Sequence, residues 1–170
     1  MKKIVSLLLI ISITVCFSGC KTRAENYEVP AVFYYVQSED YLDLSESVIC
    51  SETREIAHLE GNLADILNAY FIGPVTEQYR SPFPFKLSAI SAIQEDDRVL
   101  LTLSDELKEL ESLEFSIAVS CISMTVFELT NCSVVELQVE NALINGKNAL
   151  IISRDLLYLS DGSHDDLILS

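Results

Sequence analysis

Residues 62–74, NLADILNAYFIGP, show where the first helix of the fold begins and ends. Asn62 is a favourable N-cap residue, and Gly73 suits the left-handed conformation that closes many helices. Pro74 prevents the helix from continuing. Apolar residues repeat at three- and four-residue spacing along one face, and they are Leu63, Ile66, Leu67, Tyr70 and Phe71. The stretch therefore predicts a helix at residues 62–72.

A proline-rich connection, residues 74–84 with the sequence PVTEQYRSPFP, follows this helix. Pro82 and Pro84 lead the chain into the next strand, since proline restricts the backbone and removes a hydrogen-bond donor. Residues 76–81 are then left free to act as a contact loop. The candidate partner-binding residues of this loop are Thr76, Tyr79 and Arg80.

Short runs rich in β-branched and aromatic residues predict strands on both sides of the helix. The predicted strands are residues 31–36, 54–56, 87–94, 98–103, 134–139 and 149–152. Residues 95–97 favour a turn between the third and fourth of these strands, and Asn145-Gly146 is a strong turn signal before the last one. Residues 154–160 fit either a final short helix or an extended piece.

A second, strongly apolar helix is predicted at about residues 113–130. Its main apolar stripe consists of Phe115, Ala118, Val119, Ile122, Val126 and Leu129. A second stripe of Ile117, Cys121 and Met124 lies roughly opposite. Either the helix is buried on most of its circumference, or this second stripe is an exposed patch where a protein partner docks. Together the elements predict an α+β fold, a single two-layer α/β sandwich whose mixed sheet of about four to six strands is packed by two helices.

The N-terminus has the three-part design of an export signal. Lys2 and Lys3 precede an apolar run at residues 4–17. As a helix this run spans about 21 Å, which is shorter than the roughly 30 Å hydrocarbon core of a bilayer. Residues 17–20, FSGC, resemble the lipobox of bacterial lipoproteins. The resemblance implies cleavage between Gly19 and Cys20 and attachment of lipid to Cys20; the alternative is an ordinary secretory signal.

Charge and cysteine content narrow the class of protein. Acidic residues outnumber basic ones by 26 to 11, so nucleic acid and anionic lipid headgroups are poor partners.

Beyond the signal, Cys50, Cys121 and Cys132 remain. Cys50 could form a disulfide with either of the other two, or all three thiols are reduced and pack as small apolar groups. No Cys-x-x-Cys pair is present, which disfavours a redox or zinc site.

The two histidines of the chain are its candidate metal ligands. His58 lies near Glu55 and Glu60 in the sequence, and His164 lies between acidic residues of the C-terminal tail. We interpret both histidines as solvated side chains rather than as ligands. We therefore expect no metal and no cofactor.

Adjacent carboxylates could act as a general acid and base, and Asp96-Asp97 and Asp105-Glu106 are such pairs. A hairpin turn explains the first pair, and the N-terminal end of a helix explains the second. We therefore expect no catalytic residue and no enzymatic activity. The alternative is a cell-wall hydrolase or accessory enzyme that uses paired carboxylates, which predicts a deep cleft with converging acidic groups.

Six segments occur in an order typical of one family. They are AVFYYV (31–36), LADILNAYFIGP (63–74), PFP (82–84), KLSAI (86–90), VLLTLSDEL (99–107) and TVFELTNCSVVELQV (125–139). In this order they resemble the GerM domain of sporulation and germination lipoproteins, over about residues 31–152. The chain departs from the family pattern at residues 147–158, KNALIISRDLLY, so that the last element of the domain is left open.

The resemblance implies a non-enzymatic interaction domain attached to the cell envelope. The expected organisation is a signal peptide at 1–19, a lipidated cysteine and polar tether at 20–29, a GerM-like domain at 30–159 and a flexible tail at 160–170. The expected location is the extracytoplasmic face of the bacterial membrane. The expected partners are the bilayer, through acylated Cys20, and an envelope protein, with no nucleic acid and no small-molecule substrate.

Overall fold

The computed structural model describes residues 28–41, 47–57, 62–144 and 146–158. Within these residues the strands are β1 Glu28–Gln37, β2 Ile49–Ala57, β3 Tyr79–Arg80, β4 Ala89–Glu95, β5 Arg98–Leu103, β6 Val134–Val139 and β7 Leu150–Ser153. The α-helices are α1 Leu63–Tyr70, α2 Ser112–Thr130 and α3 Arg154–Tyr158. Short 3-10 helices lie at Glu39–Tyr41 and Asp105–Glu109.

The strands form two sheets, and the predicted α+β class is confirmed. One sheet has the order β2-β1-β3, with β1 antiparallel to both neighbours. The other has the order β4-β5-β6-β7, in which β5 and β6 are parallel and the outer pairs are antiparallel. The prediction of a single mixed sheet differs from this arrangement. Helix side chains, rather than a further strand, bond the backbone of β1 near its centre.

These helix contacts involve one residue of β1. The backbone N–H of Tyr34 donates to Oγ1 of Thr125 in α2 at 3.0 Å. The carbonyl oxygen of Tyr34 accepts a hydrogen bond of 2.8 Å from the hydroxyl of Tyr70 in α1. β3 pairs with β1 only at Val36 and Gln37, so the two hydroxyls satisfy backbone groups that a longer strand would otherwise bond.

Helix α2 is the central element of the core. Among the described residues it is the helix whose length and apolar composition would suffice to cross a membrane. Here that composition serves burial, because Ala118 and Ile122 of the main stripe and Cys121 of the second stripe are fully covered. The second stripe is divided between the two alternatives, since Cys121 is fully buried whereas Ile117 and Met124 are half-buried. Each fully buried large apolar side chain stabilises the fold by roughly 1.5–3 kcal/mol.

Helix α1 lies at its predicted position but is shorter than predicted. Its regular part is Leu63–Tyr70, two residues shorter at the C-terminal end than predicted. Gly73 has φ +114°, which confirms the left-handed closure. Asn62 holds the N-cap position, but its side chain makes no capping bond and donates instead to the carboxylate of Asp65 at 2.6 Å.

The later strands β4 to β7 lie within two residues of their predicted bounds. The first two strands are longer than predicted, because β1 and β2 pair continuously from Glu28 opposite Ala57 to Val36 opposite Ile49. The final element is a helix, and Arg154 at its start donates to the carbonyl of Cys132 at 3.0 Å. That bond attaches α3 to the loop that follows α2.

Several predictions lie outside the described residues. They are the signal peptide and tether, the cleavage and lipidation site at Gly19 and Cys20, His58, Asn145, and the tail with His164. Their assignments stay predictions.

Candidate interaction cleft

A cleft of about 420 Å³ opens where β1, the proline-rich connection and the start of α2 meet. Val36 contributes from β1, and Val48 comes directly before β2. Residues 80–84 form one wall, and Glu114 and Ile117 come from α2. Apolar side chains dominate the lining. A concave site of this volume and composition is typical of ligand and peptide pockets.

Strand pairing and proline chemistry shape this cleft. Arg80 pairs with Val36 across β3 and β1, and directly opposed residues project from the same face of a sheet. Both residues line the cleft. Pro82 and Pro84 have no backbone donor, so the segment cannot extend β3 further and turns away from the sheet.

An aromatic row supports the proline-rich wall from behind. Phe83 is 4% exposed and meets the ring of Phe71 edge-on at 5.6 Å. Phe85 stacks on Phe83 at 6.3 Å, while Tyr70 lies 5.2 Å from Phe71. The wall is therefore fixed to helix α1 by packing, which lowers the ordering cost of binding a ligand.

The cleft brings together one residue from each of the two predicted contact surfaces. Ile117 and Arg80 both line it, although they were predicted on separate surfaces. Met124 is half-buried and is not among the lining residues. The prediction is wrong for Cys121, which is fully buried and directs its thiol at the carbonyl of Tyr35, 3.8 Å away.

The other two loop residues face inward rather than toward the cleft. Tyr79 is partly buried and packs against the core. Thr76 is also partly buried, and its backbone N–H donates to the carboxylate of Glu52 at 2.7 Å. Of the three predicted contact residues in this loop, Arg80 is thus the one that lines the cleft, and its neighbour Ser81 lines it too.

Two charged side chains stand in the cleft without an ion pair. Arg80 and Glu114 are exposed, and within the described residues neither has an oppositely charged group within 4.0 Å. Glu114 lies in the first turn of α2, where a carboxylate interacts favourably with the helix dipole. The site therefore offers one guanidinium and one carboxylate beside an apolar floor.

A buried ion pair, which sequence reasoning missed, holds the start of the proline-rich connection. Glu52 and Arg54 lie two residues apart on β2, and their side chains form an ion pair. Arg54 also donates to the Tyr35 hydroxyl at 2.6 Å and to the Gly73 carbonyl at 2.7 Å. The bond to Gly73 places a cation at the C-terminal end of α1, where the helix dipole favours it.

The titration properties of this network follow from burial and hydrogen bonding. Burial opposes ionisation of Glu52, but hydrogen bonds from Thr76, Arg54 and the Val75 N–H outweigh it and lower the carboxyl pKa to about 2. Burial raises the pKa of Tyr35 to about 12 despite the nearby Arg54 guanidinium. Glu52 is therefore ionised at neutral pH, and its carboxylate accepts hydrogen bonds from the backbone of Val75 and Thr76 in the loop.

One member of each predicted carboxylate pair has a structural partner, and both pairs lie outside the cleft lining. The side-chain carboxylate of Asp97 accepts a hydrogen bond of 2.9 Å from the backbone N–H of Ser133. This bond links the β4–β5 turn to the start of β6. Asp105 accepts a bond of 2.7 Å from Lys108. Glu114 is the carboxylate that lines the cleft. In the part of the chain that the structure describes, no group of three or more His, Cys, Asp or Glu side chains forms a metal site.

The fold is similar to that of solved GerMN domains. It matches the tandem GerMN domains of the sporulation protein GerM from Bacillus subtilis with a TM-score of 0.59 and 16% identity, over 80% of this chain and 49% of that one. It matches the first GerMN domain of the same protein with a TM-score of 0.55 and 15% identity, over 75% of this chain and 98% of that one. The chain thus spans about half the length of the tandem protein.

No protein-family model matches the chain, and the comparison with curated proteins finds no relative. At these identities the structural likeness defines the fold: the described domain has the GerMN architecture. This agrees with the resemblance read from the order of sequence segments.

Proposed function

We propose that this chain is a lipid-anchored lipoprotein on the extracytoplasmic face of a bacterial membrane, with a GerM-like domain that acts as a non-enzymatic interaction or scaffold module in the envelope. Its process is sporulation or germination. The observation that carries the proposal is the preformed cleft in which Arg80 and Ile117 meet on a GerMN-type fold.

The N-terminal sequence supports the anchoring. The FSGC segment ends at Cys20, and β1 begins at Glu28. The intervening residues span at most about 25 Å when fully extended. A domain on so short a tether stays beside the bilayer, where its partner is another envelope protein.

Composition supports a protein partner. Acidic residues exceed basic ones by 26 to 11, which repels nucleic acid and anionic lipid. The cleft is apolar, concave and backed by a fixed aromatic row. These properties suit the insertion of side chains from another protein.

Site-specific photo-cross-linking in cells tests the proposal. A photoreactive amino acid in place of Ile117 is expected to capture a discrete envelope protein, whereas the same amino acid in place of exposed Lys147 captures none. Cys20→Ala is expected to release the protein from the membrane fraction. Equal capture at the two positions, or no capture in both sporulating and vegetative cells, would contradict the interaction role.

A further inference from the structure

We propose that the cleft recognises an extended peptide segment of the partner, in which a large apolar side chain is followed within one or two residues by a carboxylate. The apolar side chain packs between Val48 and Ile117, above a floor formed by the buried Val36 and Phe83. The carboxylate pairs with Arg80. This inference rests on the proposed function, because it names the chemistry of the segment that the interaction module binds.

The unpaired guanidinium gives the first argument. The chain carries more than twice as many acidic as basic residues, yet Arg80 lies within 4.0 Å of no carboxylate among the described residues. Arginine presents a planar fork of donors that matches a carboxylate in two parallel hydrogen bonds. The exposed Arg80 side chain is therefore available to pair with a carboxylate of a bound segment.

Glu114 restricts the charge of the ligand. It lines the same cleft and is exposed, so a polyanion such as a phosphate-rich ligand would meet repulsion there. A segment with a single carboxylate can pair that group with Arg80 and place only neutral or basic residues near Glu114. The charge pattern of the cleft therefore selects an apolar–acidic peptide rather than a highly charged ligand.

The buried floor of the cleft determines the size of the apolar side chain that the cleft can accept. Val36 and Phe83 are 2% and 4% exposed and belong to the packed interior, so their positions are set before a ligand arrives. Ile117 is half-buried and closes the floor from the side of α2. A volume of about 420 Å³ accommodates one large side chain with its flanking backbone.

Fluorescence polarisation with synthetic probes tests this recognition. The full chain in phosphatidylcholine nanodiscs is titrated into labelled nonapeptides with a central Leu followed by Glu, and into matched probes carrying Gln or Lys in place of that Glu. The Glu probe is expected to bind roughly tenfold more tightly than the Gln probe. Arg80→Gln is expected to abolish this difference, and Lys147→Gln, at an exposed site outside the cleft lining, to preserve it.

A second variant separates the two parts of the site. Ile117→Ser is expected to weaken the Glu and Gln probes equally, by roughly fivefold, while their ratio persists. Equal binding of all three probes, or an unchanged Glu-to-Gln ratio in Arg80→Gln, would overturn the inference. Binding of palmitate at the cleft without binding of any peptide would also overturn it.

The two proposals fail separately. If Arg80→Gln cross-links to the same envelope protein through position 117 as strongly as the parent does, the interaction role stands and the peptide chemistry is wrong. If the probes respond to Arg80 but cells yield no cross-linked protein, the cleft chemistry stands and the interaction role is wrong.

Discussion

The carboxylate of Glu52 accepts a hydrogen bond of 2.7 Å from the backbone N–H of Thr76, a residue 24 positions later in the chain. This bond attaches the segment after α1 to β2. A few residues later the same segment reaches Arg80, where the proline-rich wall of the cleft begins. The ion pair of Glu52 and Arg54 therefore helps to position this wall, although neither residue lines the cleft.

Glu52→Gln is expected to destabilise the fold strongly. The substitution leaves the partly buried Arg54 without its anionic partner, and breaking a buried pair in this way costs about 3–5 kcal/mol. Equilibrium urea unfolding measures the loss. Glu136→Gln is the matched control, because its partner Arg98 is exposed and such a pair contributes less than about 1 kcal/mol. Equal effects of the two substitutions would contradict the role of the buried pair.

Stability is expected to fall in acid through Glu52. Its folded pKa of about 2 lies below the ordinary value of 4.5, so the contribution is complete above pH 4.5 and is lost as the pH falls toward 2. The shift corresponds to at most about 3 kcal/mol. Unfolding free energies between pH 7 and pH 2 test this, and Glu52→Gln should show a flatter acid profile. An unchanged profile in that variant would assign the acid sensitivity to other carboxyls.

The two hydroxyls that bond Tyr34 are expected to have separable effects. Thr125→Val removes the acceptor of the Tyr34 N–H, whereas Tyr70→Phe removes the donor to its carbonyl. Each removes one hydrogen-bond partner from the backbone of Tyr34 and is expected to cost about 1 kcal/mol. Amide hydrogen exchange at Tyr34, measured under conditions of local opening, should accelerate more in Thr125→Val than in Tyr70→Phe. The reverse order would show that Thr125 is not the acceptor.

Cys121 is expected to resist alkylation in the folded protein. Burial raises the pKa of its thiol to about 12, so very little thiolate exists at pH 8 and reagents cannot reach it. Cys50, which is half-buried, should react faster with iodoacetamide. Mass spectrometry of the alkylated peptides distinguishes the sites, and in urea both should react. Modification of Cys121 at the rate of Cys50 without denaturant would show that α2 is more exposed than described.

Much of the fold was predicted from local sequence features, which depend only on residues close together in the chain. The apolar spacing of α1, the glycine that closes it and the acidic turn before β5 are local features, because each depends on the backbone preferences of adjacent residues. Periodicity also identified α2. It could not tell whether the stripe with Cys121 faced solvent, since that depends on β1, which comes 86 residues earlier at Tyr35.

The candidate site was harder to predict for the same reason. Arg80 and Ile117 were each identified as contact residues, but a sequence does not show that two distant segments line one cleft. In the sequence, the ion pair of Glu52 and Arg54 is visible only as two charged residues at alternating positions of β2. Charged residues in a strand usually face solvent, so this pattern did not indicate a buried pair. Its burial arises from the loop that covers it, through Val75 and Thr76.

The bonds that join Tyr34 to Thr125 and Tyr70 have a consequence for crowding. Proteins tethered to a membrane meet one another at high local concentration, and an open strand edge there invites a neighbouring chain to add its own strand. With its N–H and carbonyl already engaged by helix hydroxyls, the centre of β1 offers no template for such addition. The domain can therefore gather densely on a surface without joining its neighbours through β1.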